Sequence, residues 1–150
     1  MITGGSGDDV LLGNTTDNTL SDLAGNDTLD GKGGNDVLTG GIGLDIFRFS
    51  TSPGPANMDR ITDFSVTDDT LQFDRNVFIP FFSLGPLAAG NLRAAPGATT
   101  AADADDYLIY DTTTGNLYYD GDGSGVENSP VQVAVLTGIP ALTSADFSIV

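Results

Sequence analysis

The chain of 150 residues contains no cysteine and no histidine. Without thiols it has neither a disulfide to staple it nor a thiolate to hold a soft metal. The double absence removes Ser-His-Asp, Cys-His and histidine-ligated zinc chemistry from what these residues can perform. Bases are scarce as well: five Lys and Arg face 21 Asp and Glu, for a formal net charge of −16. Such a surface repels nucleic acid and anionic membranes, and the chain repels itself until cations neutralise it. No apolar run approaches the length of a transmembrane helix, and the N-terminus lacks the basic-then-apolar form of a Sec leader. Apolar residues nevertheless make up 39% of the chain, too many for a disordered acidic tail. The length suits one domain or two small subdomains. Aromatics are absent until Phe47, and all twelve lie there or later.

What fills the aromatic-free region is a repeat. Five nine-residue units run from Gly4 to Arg48: GGSGDDVLL, GNTTDNTLS, DLAGNDTLD, GKGGNDVLT and GGIGLDIFR. Their sixth positions are Asp9, Asn18, Asp27, Asp36 and Asp45. The seventh are β-branched every time (Val10, Thr19, Thr28, Val37, Ile46), and the eighth are large and apolar (Leu11, Leu20, Leu29, Leu38, Phe47). A fixed period of this kind marks a stacked coil. Positions seven to nine favour the extended backbone, and alternation sends the eighth side chain inward with its neighbours outward. The first six positions form a turn in which glycines allow backbone angles that other residues resist.

Two units make one winding, so turns two units apart lie on the same edge, roughly 4.8 Å apart. Units one, three and five share one edge, and units two and four the other. Turn carbonyls and one carboxylate per turn offer hard oxygens, which suit Ca²⁺ with its six to eight oxygen ligands. One turn cannot supply that many. Three ions are therefore expected, between units one and three, three and five, and two and four.

The units resemble the Gly-Gly-x-Gly-x-Asp-x-U-x pattern of RTX (repeats-in-toxin, haemolysin-type) calcium-binding proteins. Units one and five match at every defined position, and unit four departs only at Lys32. Unit three has Asp22 and Leu23 where glycines are usual, and unit two has Thr16 and Asn18 for Gly and Asp. The pair of units two and four is thus the weakest expected site. The ligands this reading implies are Gly4, Ser6, Asp8 and Asp9 in the first unit, Asn18 in the second, and Asp22, Ala24, Asn26 and Asp27 in the third. The fourth adds Gly31, Gly33, Asn35 and Asp36, and the fifth Gly40, Ile42 and Asp45.

The likeness extends beyond the repeats. FRFS, MDRITDF and DDTLQFD, between Phe47 and Asp74, are similar to the segment that follows the roll in secreted RTX proteases and related proteins. DDYLIYDTTTGNLYYDGDGSG (105–125) is similar to a hairpin and loop near the C-terminus of such proteins. The closing ADFSIV resembles the end of a C-terminal type I secretion signal, with Ser148 interrupting its apolar run. The fold implied is all-β: a parallel β-roll over residues 1–48, then a β-rich cap over 49–150. Strands are expected at Ile61–Phe64, Thr70–Phe73, Tyr107–Tyr110, Leu117–Tyr119 and Val131–Leu136. Pro80–Pro96 reads as loop with a turn of helix near Leu87. Thr143 or Ser144 is placed to cap a short terminal helix.

Two further acidic clusters bear on the ligand set. Asp120-Gly-Asp122-Gly-Ser124-Gly125 has oxygens at the first, third and fifth positions of an EF-hand loop, but Val131 stands where the twelfth-position Glu is needed. It reads either as a calcium loop or as a solvated turn. Asp59 and Asp63 read either as part of a cap-side ion site, which adds Asp63 to the ligands, or as an Arg60-paired surface. The four tyrosines read as core and cross-strand pairs rather than a sugar-stacking platform.

No catalysis is expected. The one glutamate, Glu127, sits in a loop of small residues, and the clustered aspartates have a calcium explanation. The resemblance implies a secreted, extracellular bacterial protein, exported by type I machinery and folded by calcium outside the cell. Its alternatives are a module holding a polysaccharide or cell surface, or a non-catalytic piece of a secreted hydrolase such as a metalloprotease or lipase. The short lead before Gly4 fits a chain cut from something longer.

Overall fold

The computed structural model describes residues 1–81 and 83–150. It is built from strands: β1 (Ile2–Thr3), β2 (Val10–Asn14), β3 (Thr19–Ser21), β4 (Thr28–Lys32), β5 (Val37–Thr39), β6 (Ile46–Phe49), β7 (Asp59–Ile61), β8 (Thr70–Phe73), β9 (Gly85–Pro86), β10 (Leu92–Ala95), β11 (Leu108–Asp111), β12 (Asn116–Tyr119), β13 (Val131–Leu136) and β14 (Phe147–Ile149). Two short 3-10 turns, Ala89–Asn91 and Ser144–Asp146, are the helical pieces among the described residues.

The nine-residue period folds as its spacing dictates. Alternate units build opposite sheets: β2, β4 and β6 pair in parallel on one side, and β1, β3 and β5 on the other. Leu11 stands beside Leu29, Leu29 beside Phe47 and Phe47 beside Leu71, while Leu20, Leu38 and Ile61 line up opposite. All seven are buried. Their columns form the thin core between the sheets, while Val10 and Leu12 on either side of Leu11 face solvent. Asp30 breaks the outward rule at position nine. It is buried, held by the Lys32 ammonium at 2.9 Å and the Ser50 hydroxyl at 2.7 Å.

Close stacking of the turns explains the fourth-position glycines Gly25, Gly34 and Gly43. Gly43 has φ +151°, and a Cβ built there would lie 1.6 Å from the Gly25 carbonyl oxygen of the winding above. Gly43→Ala is expected to cost about 2 kcal/mol or more, since strained backbone alone costs about 1–3 kcal/mol. Urea unfolding in saturating calcium, with the midpoint compared against the parent, checks this.

Both sheets run on past residue 48. The first becomes eight-stranded in the order β1-β3-β5-β7-β13-β12-β11-β10, and the second six-stranded in the order β2-β4-β6-β8-β14-β9. The cap therefore extends the roll's sheets, covering the edges of β5 and β6 and moving the sheet edges out to β10 and β9. Its core centres on Phe73, stacked on Phe49 at 4.7 Å and edge-on to Phe78 at 4.9 Å. Tyr110 is buried with its hydroxyl donating to the Pro140 carbonyl (2.9 Å), and Tyr119 packs edge-on against Phe78 at 5.0 Å. In the β11–β12 hairpin Ile109 faces Tyr118 and Tyr110 faces Leu117.

Three details differ from expectation. The strand expected over Ile61–Phe64 lies at Asp59–Ile61, because Asp59 is locked to the backbone of Asp36 and Asp63 turns away to bond the fifth turn. Within Pro80–Pro96, β10 forms instead of loop, pairing in parallel with β11. Strand β9 (Gly85–Pro86) forms in the same stretch, ahead of the helical turn expected near Leu87, which lies at Ala89–Asn91. At the other end, Thr143 caps the expected turn: its backbone N–H donates to the Asp146 carboxylate at 2.6 Å.

Candidate metal centre

The sixth-position side chains form two ladders. In each rung a carboxylate Oδ1 accepts the backbone N–H of the sixth residue one winding earlier. On one edge Asp27 takes Asp9 (2.8 Å), Asp45 takes Asp27 (3.0 Å) and Asp69 takes Asp45 (3.1 Å). On the other, Asp36 takes Asn18 (2.6 Å) and Asp59 takes Asp36 (3.1 Å). Fifth-position side chains bond in the opposite direction. Asp8 accepts the N–H of Asn26 (2.9 Å), Asn26 that of Leu44 (2.9 Å), Asp17 that of Asn35 (2.8 Å) and Asn35 that of Met58 (3.0 Å). Fifth and sixth positions thus lace neighbouring windings from both sides.

The second oxygens make the site. Asp22, Asp27, Asp36 and Asp45 each bury Oδ2 with no hydrogen-bond partner among the described residues. A buried, unpaired carboxylate oxygen is costly unless a cation or proton meets it. The first-position glycines keep the space beside these atoms open: a Cβ at Gly31 would lie 2.2 Å from Asp36 Oδ2, and one at Gly40 2.4 Å from Asp45 Oδ2. At the two ends of the first ladder the second oxygen bonds its own turn instead, Asp9 taking the Gly5 N–H and Asp69 the Ser65 N–H, both at 2.8 Å. The donor set is all hard oxygen, with no nitrogen or sulfur ligand to favour a transition metal. The residues present fit calcium.

Burial pushes five of the ladder carboxyls up. Desolvation raises Asp27, Asp36 and Asp69 above the ordinary 3.8, Asp45 to about 6 and Asp59 to about 7, with neighbouring aspartates adding to the rise. The folded chain therefore binds these protons more tightly than the unfolded chain. Without metal, this contribution to stability is full below about pH 4 and is lost as pH rises through about 6 and about 7. Metal competes with the same protons, so calcium binding weakens as pH falls through that range. Calcium titrations at about pH 7.5 and about pH 5.5 are expected to differ about four-fold or more in midpoint, weaker at the acid value.

The remaining expected ligands fall into groups. Gly4 faces the carboxylate of Asp22, and Ala24 and Gly33 are half-buried in their turns. Ser6 is exposed, and the Ile42 carbonyl accepts the Gly25 N–H at 2.9 Å. Asn18 carries an amide rather than a carboxylate, and its Oδ1 takes the Asn14 N–H at 2.8 Å. Asp63 gives both oxygens to backbone amides, of Gly40 (3.0 Å) and Gly41 (2.8 Å), as a strut on the fifth turn. The Arg60-paired surface is not formed: Asp59 is buried, and exposed Arg60 bonds the Thr137 hydroxyl at 3.4 Å. Asp120 and Asp122 lie in the loop after β12, outside both ladders. There Asp120 Oδ1 accepts the Asp122 N–H (3.2 Å), and Asp122 Oδ2 those of Glu127 (2.9 Å) and Asn128 (3.2 Å).

Asp69, and the place of Asp59 as a rung, escaped the sequence reading. Rungs within the repeats are 18 residues apart, but Asp36 to Asp59 spans 23 and Asp45 to Asp69 spans 24. Insertions of five and six residues hide the period. The signal that survives is an Asp followed two residues later by a large apolar residue, in DRI and DTL.

A family model for the RTX calcium-binding nonapeptide repeat matches the chain in four copies, over residues 1–20 and 12–47. Residues 1–47 are RTX calcium-binding repeats. Such RTX repeats are typical of extracellular, secreted bacterial proteins. No curated protein matches the chain. Among solved structures it is similar to the solution structure of the AlgE6R3 subunit from the Azotobacter vinelandii mannuronan C5-epimerase. The identity is 27%, covering 96% of this chain and 79% of that one, with a TM-score of 0.45. No helix among the described residues is long and apolar enough to cross a membrane.

Proposed function

We propose that the RTX roll is a calcium-driven folding and stabilisation module of a type I secreted bacterial protein, with a binding role and no catalytic one. The observation that carries this reading is the set of buried, partnerless Oδ2 atoms on Asp22, Asp27, Asp36 and Asp45. Calcium, when bound, supplies two positive charges and a shell of six to eight oxygen bonds per site. Asp9 with Asp27, Asp27 with Asp45, and Asn18 with Asp36 are the side chains that hold it between windings, with turn carbonyls completing each set. Asp59 and Asp69 extend the ladders by one rung each and offer the same chemistry past the matched repeats.

The acids keep the metal-free chain expanded, which suits export as an unfolded chain from a cell interior low in calcium. Outside, neutralised rungs let the windings stack, and the stacked strands template β13 and β14 through β7 and β8. The test is circular dichroism of the whole chain against free calcium in chelator-treated buffer. A cooperative gain of β signal is expected; a β spectrum that chelator leaves unchanged overturns the reading.

A further inference from the structure

Position one is glycine in four of the five units, as Gly4, Gly13, Gly31 and Gly40, and aspartate in the third. Asp22 is 3% exposed. Its Oδ1 accepts the Leu23 N–H at 2.6 Å, while its Oδ2 is buried without a partner. That oxygen points at the first turn: a Cβ built on Gly4 would lie 1.7 Å from Asp22 Oδ2 and 3.0 Å from Asp9 Oδ2. Gly4 thus leaves the room that Asp22 fills. Carboxylate oxygens of Asp9, Asp22 and Asp27 lie within 4.8 Å of one another. The two ion pairs among the described residues, Lys32 with Asp30 and Arg48 with Asp74, leave this trio without a cationic partner.

At the corresponding places in the fourth and fifth turns, Gly31 and Gly40 contribute no charge beside Asp36 and Asp45. The first site therefore carries three carboxylates, against two between units three and five and one between units two and four, where Asn18 is an amide. Oxygen-ligated calcium sites are tuned over orders of magnitude by ligand charge and rigidity, and this site has more charge on backbone-anchored side chains. We infer that Asp9, Asp22 and Asp27 form a three-carboxylate site that takes up calcium at lower concentration than any other site in the roll. This rests on the proposed binding of calcium between windings, and it gives the Asp22 side chain a ligand role at a position where the glycine of the repeat pattern offers only a backbone carbonyl.

Equilibrium dialysis of the full chain against radioactive calcium tests it, with Asp22→Gly, Asp22→Asn and Asp17→Asn beside the parent. Asp22→Asn keeps an oxygen for the Leu23 N–H, and Asp17→Asn removes one charge from the opposite edge while keeping its acceptor for Asn35. Circular dichroism in saturating calcium confirms that each variant folds. In the parent, the first equivalent is expected to bind at least ten-fold more tightly than the rest. Both Asp22 variants lose that advantage, whereas Asp17→Asn shifts the first step less than about three-fold. Equal shifts in Asp22→Asn and Asp17→Asn, or none in the Asp22 variants, overturn the assignment while leaving the calcium reading intact. A parent that binds no calcium overturns both.

Discussion

Addition of a calcium chelator to the folded protein is expected to abolish amide protection throughout the roll and then to loosen the cap. The size follows from linkage. Each bound ion contributes about 1.4 kcal/mol when free calcium is ten times its Kd, and about 2.7 kcal/mol at a hundred times. Three ions then supply about 4 to about 8 kcal/mol, against a typical total of about 5–15 kcal/mol. Nothing else in the roll offsets such a loss. Its core is a double column of single side chains, Leu11, Leu29 and Phe47 facing Leu20 and Leu38. Its turns concentrate acids that repel once the cations leave. The N–H groups of Asp9, Asp27 and Asp45, protected only by the carboxylate ladder, become exchangeable with those rungs. The cap follows because β13 and β14 pair with the roll-continuing strands β7 and β8, though its Phe73 cluster delays the loss. Hydrogen exchange read by mass spectrometry separates the two phases. Full protection of residues 4–48 in chelator would show that metal does not hold the windings together.

How much of this was legible beforehand depended on where the period was intact. From Gly4 to Arg48 the spacing placed every inward apolar residue and every sixth-position acid, because a coil with two units per winding leaves no freedom in register; the buried Asp22 and Asp30 lay outside that pattern. Beyond Arg48 the same coil continues with added loop residues, and Asp69 ceased to look like a rung once the interval grew from 18 to 24. Fifth-position Asp8, Asn26 and Asn35 stood in the expected ligand set beside the sixth-position acids. The backbone path shows that the fifth accepts from the next winding and the sixth from the previous one, and of the two only the sixth leaves a spare buried oxygen, on Asp27, Asp36 and Asp45. Strand β10, LRAA in an Ala/Pro-rich stretch, carries little strand propensity of its own. It forms because β11 offers an edge, which is tertiary context overriding local preference.

Asp45→Asn is expected to change sign with calcium. Asp45 is 1% exposed; Oδ1 accepts the Asp27 N–H at 3.0 Å, and Oδ2 has no partner. Asparagine keeps the first oxygen and replaces the second with an NH₂ group. In chelator at about pH 7.5, above the value of about 6 to which burial raises this carboxyl, the parent holds a desolvated charge near Asp69, Asp27 and Asp63. Removing that charge stabilises the metal-free fold. In calcium the same exchange places two N–H donors where a cation needs an oxygen. One site is lost, worth about 2.7 kcal/mol at a hundred-fold excess over Kd, and more if Asp45 serves the ions on both sides of it. The residual β signal in chelator should therefore rise relative to the parent, and the urea midpoint in calcium should fall. Asp45→Ala, which also leaves the Asp27 N–H without its acceptor, should lower both. If Asp45→Asn instead lowers both, the carboxylate acts as a strut between windings, and its partnerless oxygen is not a ligand.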